Sequence, residues 1–178
     1  MTDNGSTFGP MYYNAGMRGA KASLWEGGHR VPCFLYWPAG ELGEPRDVDG
    51  LTEVQDILPT LIDLCGLDRS EGPPFDGISL APALRGEAGV PEDRILAVNY
   101  SRMPRFDYPS PDSEAVMRRE GAAVMWQNWR LLESVALYDL STDPAQEHNV
   151  IDQYPEIAQK LEAALDAWWA DVEPVANQ

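Results

Sequence analysis

The sequence predicts an α/β fold: the trailing part of an α/β domain, followed by a small antiparallel sheet covered by one C-terminal helix. Three observations predict it. The stretch VPCFLYWP, Val31 to Pro38, is a continuous apolar run bounded by proline and reads as a strand buried on both faces. After residue 92 come four short β-prone runs, RILAVNY, AAVMW, WRLLES and ALYDL. Finally, Pro155 suits a first helical position, and Ile157, Leu161, Ala164, Leu165, Trp168, Trp169 and Val172 then recur on one helical face.

Each element follows from local chemistry. Residues 1–30 are rich in glycine and small side chains and read as functional loop. In LTEVQDILPTLIDLCG, apolar residues fall at Val54, Ile57, Leu58, Leu61, Ile62 and Cys65, which is helical spacing. Pro59 is tolerated only near a first turn and Gly66 suits the left-handed position past a last one, so a turn over Thr52 to Ile57 is expected to lead into a helix ending near Cys65. A short helical turn is expected near Leu80 to Leu84. Gln127 and Asn128 are a candidate tight connection for a hairpin between two strands, and Pro174 is expected to end the last helix.

The chain has 178 residues, 44% of them apolar, with 13 Lys+Arg against 29 Asp+Glu and a formal charge of −16. That composition supports a packed core, and a field of that sign repels nucleic acid and anionic lipid. No nucleic-acid or membrane partner is expected, because no apolar run reaches the roughly 18 residues of a membrane span. Cys33 and Cys65 both lie among apolar residues and are expected to be buried thiols; Cys65, on an apolar helix face at a C-terminus, reads as core rather than as a nucleophile.

Few residues carry an obvious chemistry. Asp3 and Asn4 in MTDNGS offer hard oxygen donors suited to Ca²⁺ or Mg²⁺, although Asn-Gly is also a common turn dipeptide and calcium takes roughly six to eight oxygens. The only lysines are Lys21 and Lys160. Lys160 falls on the polar face of the last helix, whereas Lys21 sits in MRGAKASLWEGGHR, a glycine-rich loop where a compact ammonium suits an anion. His29 and His148 stand apart, and neither shows a zinc-ligand pattern. The proline-rich loop Ser101 to Gly121, with Arg102, Arg105, Phe106 and Tyr108, is a candidate substrate-facing wall.

In order, TDNGS, RGAKASLWEGGHRVP, WPAG, VQDILPTLIDLCGL, FDGISLAPALRG and LYDLSTDPAQEHNV resemble the C-terminal part of the sulfatases, in the alkaline phosphatase superfamily. The resemblance implies that residues 1–92 are the incomplete C-terminal part of a sulfatase-type α/β catalytic domain. Residues 93–178 would be a small subdomain of antiparallel sheet plus amphipathic helix. It further implies that Asp3 and Asn4 are ligands of a divalent cation, usually calcium, and that Lys21 contacts the sulfate of an aryl or sugar sulfate ester. The family's nucleophile is a formylglycine made within a C/S-x-P/A-x-R motif; no such motif occurs in this chain, and Cys65 has Leu67 where Pro or Ala is required. The expectation is therefore a fragment of a sulfate ester hydrolase, inactive alone.

Two rival expectations remain. The chain is a non-catalytic binding module built on the small subdomain, or its parent cleaves phosphonate or phosphate monoesters. Severed strand edges would favour self-association. The compartment is open, since a periplasmic or secreted parent would be directed by a signal in preceding sequence.

Overall fold

The computed structural model describes residues 1–69, 71–100 and 116–176. The candidate wall residues Arg102, Arg105, Phe106 and Tyr108 lie outside them. The chain forms two compact units, one of Met1–Phe34 with Ile95–Gln178 and one of Leu35–Arg94.

In the first unit, β1 (Ile95–Asn99), β2 (Ala122–Trp126), β3 (Trp129–Leu132) and β4 (Ala136–Asp139) form an antiparallel meander in sequence order. Trp126 pairs with Trp129, so Gln127 and Asn128 make the two-residue turn the sequence predicts, with Gln127 at φ 49°. Alternation then separates the faces. Ala122, Val124, Leu131 and Leu137 pack with Leu161 and Leu165 of α4 (Pro155–Ala176). Ala123, Leu132 and Tyr138 face the other way, against Leu24 and Trp25. Antiparallel sheets often leave one face wet. Here the second face is covered by the loop that carries Lys21.

α4 follows its predicted stripe, and each fully buried leucine on it contributes about 1.5–3 kcal/mol. Its polar side is fixed by Arg119, which donates from Nε to Asp166 at 2.9 Å and from one terminal nitrogen to Glu162 at 2.6 Å. The helix does not end at Pro174 but runs to Ala176. A proline this close to the end removes only one backbone donor from the last turn, so it does not break the helix.

The second unit is built around a buried carboxylate. A 3₁₀ turn, Val54–Asp56, leads into α2 (Ile57–Leu64), and α3 spans Ala81–Arg85. Asp56 is fully buried and accepts hydrogen bonds from the backbone N–H of Glu53 and Ile78 and from both terminal nitrogens of Arg94, at 2.6–2.9 Å. Burial favours the neutral acid, but the Arg94 and backbone bonds outweigh it and hold the Asp56 pKa below the ordinary value. Thr60 accepts from Leu80 N–H at 2.8 Å. The face of α2 turned inward therefore presents Asp56, Thr60 and Leu64, while Leu58, Leu61 and Cys65 are exposed.

Three expectations are corrected here. Val31 to Pro38 forms no strand, and Phe34 and Tyr36 are 87% and 91% exposed. An all-apolar strand needs partners on both edges and cover on both faces, and the described residues supply neither to this run. Cys33 and Cys65 are free thiols, as expected, but exposed rather than buried. Cys33 shares the exposure of its run, and Cys65 lies on the outer face of α2.

Candidate functional site: an anion-contact loop beside an oxygen pair

Backbone hydrogen bonds bring the segment of Asp3 and Asn4 to the loop of Lys21. Gly5 N–H donates to the Gly28 carbonyl at 2.9 Å, and Lys21 N–H donates to the Ser6 carbonyl at 3.2 Å. A Cβ on Gly5 would collide with the Gly27 carbonyl, and one on Gly28 with the Ser23 carbonyl. Glycine is required at both places because two backbones meet there.

The loop is shaped by its own polar side chains. Asn14 Nδ2 donates to the carbonyls of Met17 and Gly19 at 2.7 and 3.0 Å. Ser23 Oγ bonds both to the carbonyl and to the N–H of Ala20, spanning Lys21. Gly27 N–H closes the loop on the Arg18 carbonyl at 2.9 Å.

Beneath it lies a buried ionic network. α1 (Glu26–His29) begins with Glu26, whose Oε1 accepts from Arg130 Nε at 2.6 Å and lies 3.2 Å from His29 Nε2. Arg130 stands in β3 and also donates to the carbonyls of Gln127 and Trp129. Burial alone would raise the Glu26 pKa. The His29 and Arg130 hydrogen bonds and the Arg130 charge outweigh it and lower the pKa from 4.5 to about 2. Gln146 links the same elements: its Oε1 accepts from Glu26 N–H at 3.0 Å, and its carbonyl accepts from Arg18 at 2.8 Å. The Arg18 guanidinium lies 3.6 Å over Trp25, whose ring meets Tyr138 edge-on. His29 Nδ1 and Gln146 Nε2 are buried without a hydrogen-bond partner among the described residues.

Asp3 is exposed and Asn4 half-buried, and Asn4 Nδ2 donates to Asp3 Oδ2 at 3.0 Å. Adjacent carboxylate and carboxamide oxygens fit a hard cation as two donors of a larger shell, so the pair is chemically suited to Ca²⁺. Lys21 is half-buried, and among the described residues its ammonium has no ion pair or hydrogen bond. Lys160 instead places its ammonium 3.1 Å over the Trp126 ring.

Sequence reasoning missed Glu26, Arg130 and Gln146. The available signal was Arg130 itself, a charge inside an otherwise buried strand. It also missed that Asp143, Glu147 and His148 bring donor atoms within 4.8 Å of one another. Asp143 already accepts the N–H groups of Glu147 and His148, at 3.1 and 2.8 Å, which describes a turn closed on its own backbone.

The Sulfatase family model matches residues 1–67, the stretch that holds Asp3, Asn4 and Lys21. This chain carries a sulfatase-family segment. The likeness extends further along the sequence: steryl-sulfatase of Mus musculus is 28% identical over 93% of this chain and 30% of that protein. Steryl-sulfatase of Rattus norvegicus is 30% identical over 90% of this chain and 32% of that protein. The chain thus spans about a third of the length of these curated sulfatases. Among solved structures, Ps i-CgsB in complex with k-i-k-neocarrahexaose matches with a TM-score of 0.73 over 98% of this chain and 35% of that one. At 20% identity that likeness is one of fold. The antiparallel sheet and its C-terminal helix are present as the sequence predicts, within a fold shared with that structure.

Proposed function

We infer that this chain supplies the anion contact and part of the cation shell of a sulfate ester hydrolase. The observation that carries the reading is Lys21. In a chain of formal charge −16, its ammonium lacks an acidic partner among the described residues, and its loop is tied by backbone bonds to the segment of Asp3 and Asn4. An unpaired ammonium on a fixed loop suits a sulfate oxygen, where it offsets the charge that develops as the ester bond breaks. The ester would be an aryl or sugar sulfate.

Asp3 and Asn4 would hold a divalent cation, calcium being suited to their oxygens, and such an ion when bound adds positive charge beside the ester oxygens. What this chain's own residues do is bind and orient: Lys21 grips the anion, and the glycine contacts at 5, 27 and 28 keep its loop against the oxygen pair. The nucleophile, a formylglycine by family resemblance, has no motif here. The purified 178-residue chain is thus expected to give blank rates with an aryl sulfate and with an aryl phosphate. Turnover proportional to its concentration would contradict this division of roles.

A non-catalytic module is the second reading, favoured by the closed core that the four strands and α4 form. A compact monomer on size exclusion supports it; self-association through the exposed run around Phe34 and Tyr36 supports a severed sulfatase segment.

A further inference from the structure

The loop of residues 18–28 carries Lys21 and docks on the sheet through Leu24 and Trp25. Apolar packing alone is non-directional and leaves such a loop free to slide. The directional contact is ionic. Arg130 donates from Nη1 to the carbonyls of Gln127 and Trp129, which fixes its guanidinium to the β2–β3 turn, and Nε is left for Glu26 at 2.6 Å. Glu26 and Arg130 are 2% and 6% exposed, so both charges are out of water, a placement that is unfavourable until the pairing offsets it.

From Glu26 the constraint passes through backbone. Its own N–H is taken by Gln146, the next residue bonds to the Arg18 carbonyl, and the one after accepts from Gly5. Lys21 N–H then closes on Ser6. A continuous set of short bonds therefore joins β3 to the loop of Lys21 and to the segment of Asp3 and Asn4.

We propose that Glu26 is a positioning residue: paired with Arg130, it locks the loop carrying Lys21 against the segment carrying Asp3 and Asn4, which makes the antiparallel sheet a working part of the anion site. The inference deepens the sulfatase reading and rests on it for the role of Lys21. It requires that removing only the charge at position 26 loosens the loop more than the core.

The test is amide hydrogen exchange by NMR on the full chain, comparing wild type with Glu26→Gln. Glutamine keeps shape and burial, so a role in packing alone leaves the pattern unmoved. Protection at Gly5, Lys21 and Gly27 is expected to fall roughly tenfold or more beyond any change at Leu131 and Leu165. Arg130→Lys, which keeps a cation, is expected to retain more of that protection than Arg130→Met. Equal protection in wild type and Glu26→Gln overturns the proposal, as does a loss shared evenly with Leu131 and Leu165 or identical behaviour of the two Arg130 variants. A sulfate titration of the same samples reports separately on Lys21. If the wild-type lysine ignores sulfate, the sulfate reading fails while the exchange comparison still decides the positioning role.

Discussion

Arg130 Nε donates to Glu26 Oε1 at 2.6 Å across 104 positions of sequence, joining the middle of β3 to the first residue of α1. Both side chains are nearly buried, at 7% and 2% exposure. Removing one partner of such a pair leaves a charge without compensation, which costs about 3–5 kcal/mol. Arg130→Met is therefore expected to lower unfolding stability by about that amount in urea denaturation. A loss under about 1 kcal/mol would show that the pair is solvated in practice.

The same pair sets an acid limb. The folded-state pKa of Glu26 is depressed, so its contribution is fully present above 4.5 and is lost as pH falls from 4.5 through about 2. The groups facing its carboxylate are Arg130, His29 and Arg30. The shift corresponds to about 3 kcal/mol across that window. Stability measured from pH 6 to pH 2 is expected to drop more steeply in wild type than in Glu26→Gln, which lacks this titration. Parallel curves would contradict the assignment.

The two thiols give a direct reading of exposure. Both Cys33 and Cys65 are free and exposed, so a maleimide is expected to label two sites per chain under native conditions, as fast as in denaturant to within about tenfold. Protection of either thiol until unfolding would mean that the run around Phe34, or the outer face of α2, is covered in solution.

Local periodicity explains why much of this architecture was legible. Ile157, Leu161, Leu165 and Trp168 repeat at helical spacing over about three turns, and the strands from Ile95 to Asp139 alternate between two covered faces. The run Val31 to Pro38 shows the limit of that signal, since an apolar stretch states that it wants cover but not what provides it. On α2 the apolar spacing misled, because the inward face is set by Asp56 and Thr60, whose partners Ile78, Leu80 and Arg94 come later in the chain. Glu26 and Arg130 were invisible as a pair for the same reason. Asp3, Asn4 and Lys21 could be singled out by residue type, but spacing alone reads Asp3–Asn4–Gly5 as a turn, and the roles proposed for them rest on family resemblance.

The central claim, that Lys21 is a sulfate contact, is tested most directly by titrating inorganic sulfate into the chain and following the two lysines by ¹³Cε NMR. Lys160, placed over Trp126, is the internal control. A saturable shift is expected at Lys21, absent at Lys160 and weakened about tenfold or more in affinity when Glu26→Gln loosens the loop. Equal, non-saturating shifts at both lysines, or none at Lys21, would contradict it.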